Sequence, residues 1–211
     1  MPVPSSRLRP RLQLSVRPVT EIADYIRHVR RETLKAIRVD PAPALIEPLS
    51  RGVYLVARME GEDEPVGLIE SAFLHHVYAD ADALPYRDIL DFSGLCAFEQ
   101  LAGVRTVYVK PGFRSSRALY LKLIVAQSRI FASFGASFAL ATTNAANDWL
   151  RGLYERTGGR RLGTFMHESS REPVALFLFS IDDLARHPLA ERHVSDADLV
   201  ANRAAAAAVV G

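Results

Sequence analysis

Residues 107–135 read VYVKPGFRSSRALYLKLIVAQSRIFASFG, and this segment decides the fold. An apolar strand at residues 105–109 ends at a Pro-Gly turn with two arginines and two serines, and the spacing of apolar side chains predicts a helix at 116–134. The free N–H groups of the first helical turn, with the arginines beside them, are suited to hold an anion. Alternatively, the serines only cap the helix and the arginines are solvated.

The composition is that of one globular domain. The chain has 211 residues, of which 49% are hydrophobic and 24% are charged, and its formal net charge of +2 gives no general signal for nucleic acid. Cys96 is the only cysteine, which excludes an internal disulfide and fits a small apolar side chain in a reducing cytoplasm. No run approaches the ~20 apolar residues that a membrane span needs. We therefore expect a cytoplasmic protein with no membrane span, no metal site and no nucleic-acid partner.

Three parts are predicted along the chain. A flexible arm at residues 1–11 is rich in proline and arginine, and one α/β domain follows at residues 12–182. Residues 183–211 form a helical or disordered tail, whose alanine run has nothing obvious to pack against. Residues 75–103 are predicted to form a loop and a short helix, because apolar residues recur there at every third position. The other predicted elements are strands at 12–16, 53–58, 66–73, 105–109, 137–142, 161–168 and 174–181, and helices that begin after an N-cap at Thr20, at 116 and at 146.

This order of elements resembles the GNAT superfamily of acyltransferases over residues 12–182. The segment VYVKPGFRSSRAL is similar to the family's strand and arginine-led pyrophosphate loop, and NDWLRGLYERTGG is similar to its Asn-to-Tyr helix that ends in glycine. The resemblance implies an α/β (α+β) fold: a single domain with a mixed, mostly antiparallel central sheet flanked by helices. It also implies an enzyme, a monomer or homodimer, that moves an acyl group to a small-molecule amine by direct attack.

The same resemblance implies the site residues. The donor, acyl-CoA (acetyl-CoA) or acyl-phosphopantetheine on acyl carrier protein, would contact strand backbone, N–H groups of the turn, and an asparagine near the pantetheine end. Tyr154 would protonate the departing thiolate. Alternatively, Tyr154 is a buried aromatic residue and the asparagine is a plain helix cap. The implied donor-binding residues are Val107, Val109, Arg114, Ser115, Ser116, Arg117, Ala118, Leu119 and Asn147.

The turn departs from the pattern of family members that use acetyl-CoA. At the third and fifth positions after the arginine, where glycines would let a diphosphate approach, this chain has Arg117 and Leu119, and we expect their side chains to crowd a diphosphate. The turn is more similar to the branch of N-acyl amino acid synthases and acyl-homoserine-lactone synthases, which take acyl groups from acyl carrier protein. The acidic surface of that donor would suit Lys110, Arg114, Arg117 and Lys122.

The general base is the least defined part of the predicted site. Acylation of an amine needs a route for the proton of the amine, and the strand before the turn has no acidic residue. Glu99 and Glu70 are the candidates, although each could be a solvated or salt-bridged carboxylate, and water could carry the proton. His75 and His76 lack a third ligand at suitable spacing for a metal.

Two further hypotheses come from other functional classes. A non-catalytic GNAT-like module that binds CoA or acyl carrier protein would explain the missing turn glycines and the absent base. Nucleic-acid binding through the arginine-rich arm is the weakest hypothesis, because the arm is short and lacks interleaved aromatic residues. Residues 75–103, which are rich in Leu, Phe and Tyr, form either an acyl or acceptor pocket or a packed insertion.

Overall fold

The computed structural model describes residues 11–36, 46–90, 95–114, 117–167, 171–188 and 196–210, so residues 1–10 of the predicted arm lie outside it. The strands are β1 (Leu12–Arg17), β2 (Val53–Met59), β3 (Pro65–Phe73), β4 (Leu101–Val109), β5 (Phe138–Asn144), β6 (Arg160–Met166) and β7 (Pro173–Ser180). The helices are α1 (Val19–Ala36), α2 (Arg117–Ala132), α3 (Asp148–Arg156), α4 (Ile181–Ala185) and α5 (Asp196–Val210). Within the described ranges, no helix has the length and apolar character to cross a bilayer.

The seven strands form one mixed sheet in the order β1-β2-β3-β4-β5-β7-β6. Strands β4 and β5 are parallel, and every other neighbouring pair is antiparallel. Helices α2, α4 and α5 cover one face, while α1 and the described residues of 74–100 cover the other. The prediction of a single α/β (α+β) domain, with a mostly antiparallel sheet flanked by helices, is confirmed.

Helix α1 begins two residues earlier than the sequence pattern predicts. Its first residue is Val19, and the carbonyl of Pro18 accepts a hydrogen bond from the N–H of Glu21 at 3.1 Å. The predicted N-cap at Thr20 is therefore wrong, because Thr20 already lies inside the helix. Proline has a fixed φ that suits the entry to a helix, so Pro18 both ends β1 and starts α1.

The segment before the quoted turn contains more strand than predicted. Strand β4 begins at Leu101, four residues before the predicted start, because Leu101 pairs with Phe138 of β5. In the described part of residues 75–103, the helical segments are short 3₁₀ helices, as at Phe98–Gln100, in keeping with the predicted loop and short helix. A repeat of three residues is the period of a 3₁₀ helix.

The C-terminal alanine run packs against the domain. The described tail forms helix α5, in which Ala206 is fully buried in the core cluster and Asn202 is buried beside the edge strand β1. The expectation that this segment has nothing to pack against is therefore wrong. Small alanine side chains allow a helix to approach a sheet closely, which hydrophobic periodicity along the chain does not reveal.

Asn202 pairs with the free edge of β1 as a neighbouring strand would. Its Oδ1 accepts from the N–H of Val16 at 2.7 Å, and its Nδ2 donates to the carbonyl of Leu14 at 3.2 Å. We expect Asn202→Ala to lower the free energy of unfolding by about 2–4 kcal/mol, because it leaves two buried backbone groups unpaired. Urea denaturation measures this loss. Arg203→Ala, a change at the exposed neighbouring position, is the matched control, and equal stability of the two variants would contradict the pairing.

Candidate functional site

A gap opens between β4 and β5 along the second half of each strand. The two parallel strands pair only between residues Leu101–Val104 and Phe138–Ala141. Beyond these residues, β4 stays paired with β3 and β5 stays paired with β7. The gap therefore opens toward the C-terminal ends of two parallel strands, where open α/β sheets bind ligands.

A β-bulge explains why the two strands part. Glu70 of β3 pairs with Thr106, whereas the next residue, Ser71, pairs with Val104, so Arg105 is an extra residue in β4. An extra residue bends its strand and increases the local twist. Because the bend directly follows Val104, β4 turns away from β5 at that point.

Two residues of β4 present their backbone to the gap. The N–H of Lys110 donates to the carbonyl of Val66 at 2.9 Å, and hydrogen-bonded pairs alternate along an antiparallel ladder. Val109 and Val107 are one and three residues before Lys110, so their N–H and C=O groups point away from β3. This is the geometry that the predicted contact of Val107 and Val109 with a pantetheine arm requires.

Helix α2 begins at the mouth of the gap. It starts at Arg117, so the N–H groups of residues 117–119 have no acceptor within the helix, and the positive end of the helix dipole lies there. Ala118 is exposed and adds little bulk. Together these groups form an arrangement that is suited to hold an anion.

The turn itself is tied to the end of β4. Arg114 is exposed, and its Nε donates to the carbonyl of Val109 at 3.1 Å. Ser115, Ser116 and the side chain of Arg117, all predicted to contact the donor, lie outside the described residues. Arg114 is thus placed at the mouth of the gap by a hydrogen bond that also holds the turn.

Leu119 does not crowd the helix terminus. Its side chain is 4% exposed and packs in the core cluster between α2 and the sheet. The expected crowding at this position is therefore wrong, because the first turn of a helix directs one side chain into the core while the N–H of the same residue points toward the terminus. The backbone of Leu119 remains available to an anion.

Asn147 is the N-cap of α3. Its Oδ1 accepts from the N–H of Leu150 at 3.1 Å, so the cap role that was weighed against donor binding is present. The residue is exposed, and within the described chain its Nδ2 makes no hydrogen bond. Asn147 can therefore cap the helix with its oxygen and still donate to a ligand with its nitrogen.

An aromatic pair that the sequence analysis missed joins the N-terminal ends of α2 and α3. The rings of Tyr120 and Trp149 meet edge to face with centroids 5.1 Å apart, and Trp149 is 39% exposed. Only the packing of the two helices brings these rings together, because Tyr120 and Trp149 are distant in sequence.

Tyr154 lies deep in the core on α3. It is 3% exposed and packs edge to face against Phe177 and Phe179, with ring centroids 5.3 Å and 5.4 Å away. Burial, and to a lesser degree the nearby Tyr120, raises the pKa of Tyr154 well above its ordinary value. No described residue forms a hydrogen bond with its hydroxyl, which is therefore a protonated phenol with a free donor at neutral pH.

The ring of Tyr154 lines a narrow cavity at the point where β4 and β5 part. Its walls include Val104 and Val107 of β4 and Ala141 of β5, and its volume is about 20 Å³, room for about one water molecule. Most of the lining is apolar, and polar side chains from β3 and α2, Ser71 among them, face the same space. The cavity thus joins the gap to the tyrosine that the sequence analysis selected.

Glu70 faces away from this cavity. Side chains alternate along a strand, and because Ser71 lines the cavity, the preceding Glu70 points to the face that α1 covers. Its carboxylate is fully buried, forms an ion pair with Arg30 and accepts a hydrogen bond from the hydroxyl of Tyr54 at 2.9 Å. This geometry supports the salt-bridged alternative for Glu70 rather than the role of general base.

Glu99 lies at the opposite end of β4 from the turn. It is exposed in the 3₁₀ turn that precedes Leu101, and the nine residues of β4 span roughly 26 Å at the usual rise per residue. The structure therefore does not bring Glu99 together with the start of α2. In the part of the chain described, no set of three or more His, Cys, Asp or Glu side chains is placed to hold a metal ion.

The remaining predicted residues play smaller parts. The rings of His75 and His76 meet edge to face with centroids 4.2 Å apart, and burial lowers the pKa of His76. Cys96 is half-buried against a leucine-rich cluster, and burial raises the pKa of its thiol, as fits a packing role. Lys110 forms an ion pair with Glu64 at 2.6 Å, so its charge is partly neutralised.

The sheet order, the parted strands and the helix at their mouth define the fold of the GNAT acyltransferases, and this chain has that fold. The structure of FeeM, an N-acyl amino acid synthase from uncultured soil microbes, superposes with a TM-score of 0.59 at 17% identity, covering 87% of this chain and 98% of that chain. The IAA acetyltransferase from Bacillus cereus ATCC 14579 superposes at 0.56 and 11% identity, covering 80% and 99%. Aminoglycoside acetyltransferase AAC(6')-Ib, in complex with coenzyme A and kanamycin, superposes at 0.56 and 15% identity, covering 83% and 98%. No protein-family profile and no curated protein sequence matches the chain.

Proposed function

We propose that this protein is an N-acyltransferase that moves an acyl group from a phosphopantetheine thioester to a small-molecule amine. The observation that carries the proposal is the gap between β4 and β5, which has an anion-binding helix terminus at its mouth and the protonated hydroxyl of Tyr154 at its inner end. Solved structures with the same fold include enzymes with coenzyme A bound, which supports this choice of donor chemistry.

The donor would lie along β4. The pantetheine arm would hydrogen-bond to the backbone of Val107 and to the N–H of Val109 as an added strand does, while the carbonyl of Val109 accepts from Arg114. The N–H groups of residues 115–119 and the side chain of Arg114 would hold its phosphate, and Asn147 would donate from Nδ2 near the pantetheine end. The thioester would then sit near Tyr154, where β4 and β5 part.

Acyl transfer would follow by direct attack of the amine on the thioester carbonyl. The carbon–nitrogen bond forms, the carbon–sulfur bond breaks, and the thiolate takes a proton from the Tyr154 hydroxyl, which is protonated at neutral pH. Among the described residues that line the cavity there is no carboxylate. The amine would therefore arrive as the free base, and its proton would leave through water and restore the tyrosine.

The pH profile tests this proton route. We expect kcat/KM to rise about tenfold per pH unit below the pKa of the acceptor amine, because only the neutral amine attacks and no carboxylate in the cavity assists it. Two acceptors with different amine pKa values should give profiles displaced by that difference. A common inflection for both acceptors would instead reveal an enzyme base and contradict the proposal.

The acyl group is carried either by CoA or by acyl carrier protein. The buried side chain of Leu119 removes one obstacle to a diphosphate, and the pairing of Lys110 with Glu64 leaves less free positive charge for an acidic carrier protein. Native mass spectrometry with acetyl-CoA, a long-chain acyl-CoA and the loaded carrier protein separates the two donors. Binding of either CoA species identifies a CoA-dependent enzyme, whereas binding of the carrier protein alone identifies a carrier-dependent one.

The absence of a carboxylate among the described cavity residues also favours a second candidate, a non-catalytic module that binds the same donors. To decide between the two functions, each donor that binds is incubated with a panel of amines, and thiol release is measured for every pair of donor and amine. Multiple turnovers with any pair exclude the non-catalytic module. Tight donor binding with no thiol release from any pair would exclude the acyltransferase.

A further inference from the structure

The cavity beside Tyr154 contains buried polar atoms that have no partner. Ser71 of β3 is 1% exposed and Gln127 of α2 is 3% exposed, and both line the cavity. Within the described chain, neither the Oγ of Ser71 nor the Oε1 of Gln127 has a hydrogen-bond partner. Buried polar atoms are nearly always paired, so two from different elements that face one space indicate a ligand.

The hydrogen-bond chemistry of the pair restricts this ligand. The Nε2 of Gln127 donates to the carbonyl of Val53 at 3.2 Å, which leaves the amide oxygen, an acceptor only, for the cavity. The hydroxyl of Ser71 can donate or accept. A hydroxyl group satisfies both atoms, whereas a methylene group satisfies neither and a ketone cannot donate to Gln127.

A third residue on the same cavity provides the contrast. Ser128 of α2 also lines the space, but its Oγ already donates to the carbonyl of Ile124 at 2.9 Å. The unpaired state of Ser71 and Gln127 is thus specific to these two side chains and is not shared by every polar group in the cavity.

The position of the cavity assigns the ligand to the acyl end of the donor. Val104 and Ala141, the last paired residues of β4 and β5, both line it. A donor arm that enters at the mouth of the gap and follows β4 inward ends at this cavity. Room for about one water molecule accommodates a single hydroxyl group carried by the acyl chain.

We infer that Ser71 and Gln127 select a short acyl group that carries a hydroxyl over the unsubstituted acyl group of the same length. This inference rests on the proposed acyltransferase function and names its donor class, the hydroxyacyl thioesters. Gln127 accepts from the hydroxyl of the acyl group, and the hydroxyl of Ser71 donates to it. An unsubstituted chain leaves both side chains unpaired on binding.

The test compares the turnover of 3-hydroxybutyryl-CoA with that of butyryl-CoA. One amine serves as acceptor for both donors, and thiol release measures turnover. If CoA is not a donor, the same two acyl groups are presented on acyl carrier protein. We expect the wild-type protein to favour the hydroxyacyl donor by at least about tenfold in kcat/KM. Ser71→Ala and Gln127→Met should each reduce that ratio toward one. Ser128→Ala, the matched control in the same cavity, should keep it.

The outcomes separate this inference from the proposed function. Equal turnover of the two donors by the wild-type protein overturns the hydroxyacyl preference and leaves the acyltransferase intact, whereas no turnover of any donor overturns both. A preference that survives in both variants, with only a shift in melting temperature, would show that Ser71 and Gln127 bind a structural water and would overturn their role in selection. The wild-type ratio alone remains decisive if either variant fails to fold.

Discussion

Tyr154→Phe should lower kcat about 10²-fold without loss of the fold, the usual contribution of a positioned general acid. The substitution removes one hydroxyl and keeps the ring that packs against Phe177 and Phe179. The thiolate then leaves without a proton donor in a buried, mostly apolar site, where charge is poorly solvated. Steady-state thiol release measures kcat, and near-ultraviolet circular dichroism verifies the packing.

The control for this prediction is Tyr120→Phe. Tyr120 is a half-buried tyrosine near Tyr154 whose ring packs against Trp149, so its replacement tests the loss of a nearby hydroxyl that is not assigned to the leaving group. We expect Tyr120→Phe to retain most of the activity. Unchanged kcat in Tyr154→Phe would remove Tyr154 from the reaction and leave it as a packing residue, the alternative that its burial also allows.

Glu70→Gln should lower the free energy of unfolding by about 3–5 kcal/mol, because it leaves the Arg30 guanidinium buried without a counter-charge. Arg30 is itself buried, and its further hydrogen bond goes to the carbonyl of Glu47, which cannot neutralise it. The hydroxyl of Tyr54 also loses a charged acceptor at 2.9 Å. Urea denaturation at neutral pH measures the loss.

Two variants make this second prediction specific. Glu99→Gln, at an exposed carboxylate that was an equal candidate for the base, should leave stability unchanged. An Arg30→Met, Glu70→Leu double variant should recover most of the stability, because an apolar pair can replace a buried ion pair. If folded Glu70→Gln instead loses turnover per folded molecule and its pH profile changes, Glu70 is the base and the assignment to structure is wrong.

Local patterns predicted most of the fold. The strand, turn and helix around residues 105–134 were placed within a few residues, because periodicity and turn chemistry act over short stretches of chain. Because these patterns are local, they also predicted that Val107, Val109 and Arg114 lie close together at the end of one strand. The unpacked tail was a wrong prediction because its packing partner, β1, is distant in sequence. The N-cap at Thr20 was wrong for a local reason, because the helix already begins directly after Pro18.

By itself, the sequence of this protein specified the order of its elements and the strand, turn and helix proposed to hold an anion, since both depend on residues close together in the chain. Tertiary packing alone directed Leu119 into the core, paired Glu70 with Arg30 and brought Ser71 and Gln127 to the cavity beside Tyr154. Each of these outcomes depends on which face of a strand or helix meets which neighbour. A single bulge in β4 changes which face of the sheet the following side chains occupy. The residue pattern of one strand does not reveal a bulge, because a bulge is defined by how that strand pairs with the neighbouring strand.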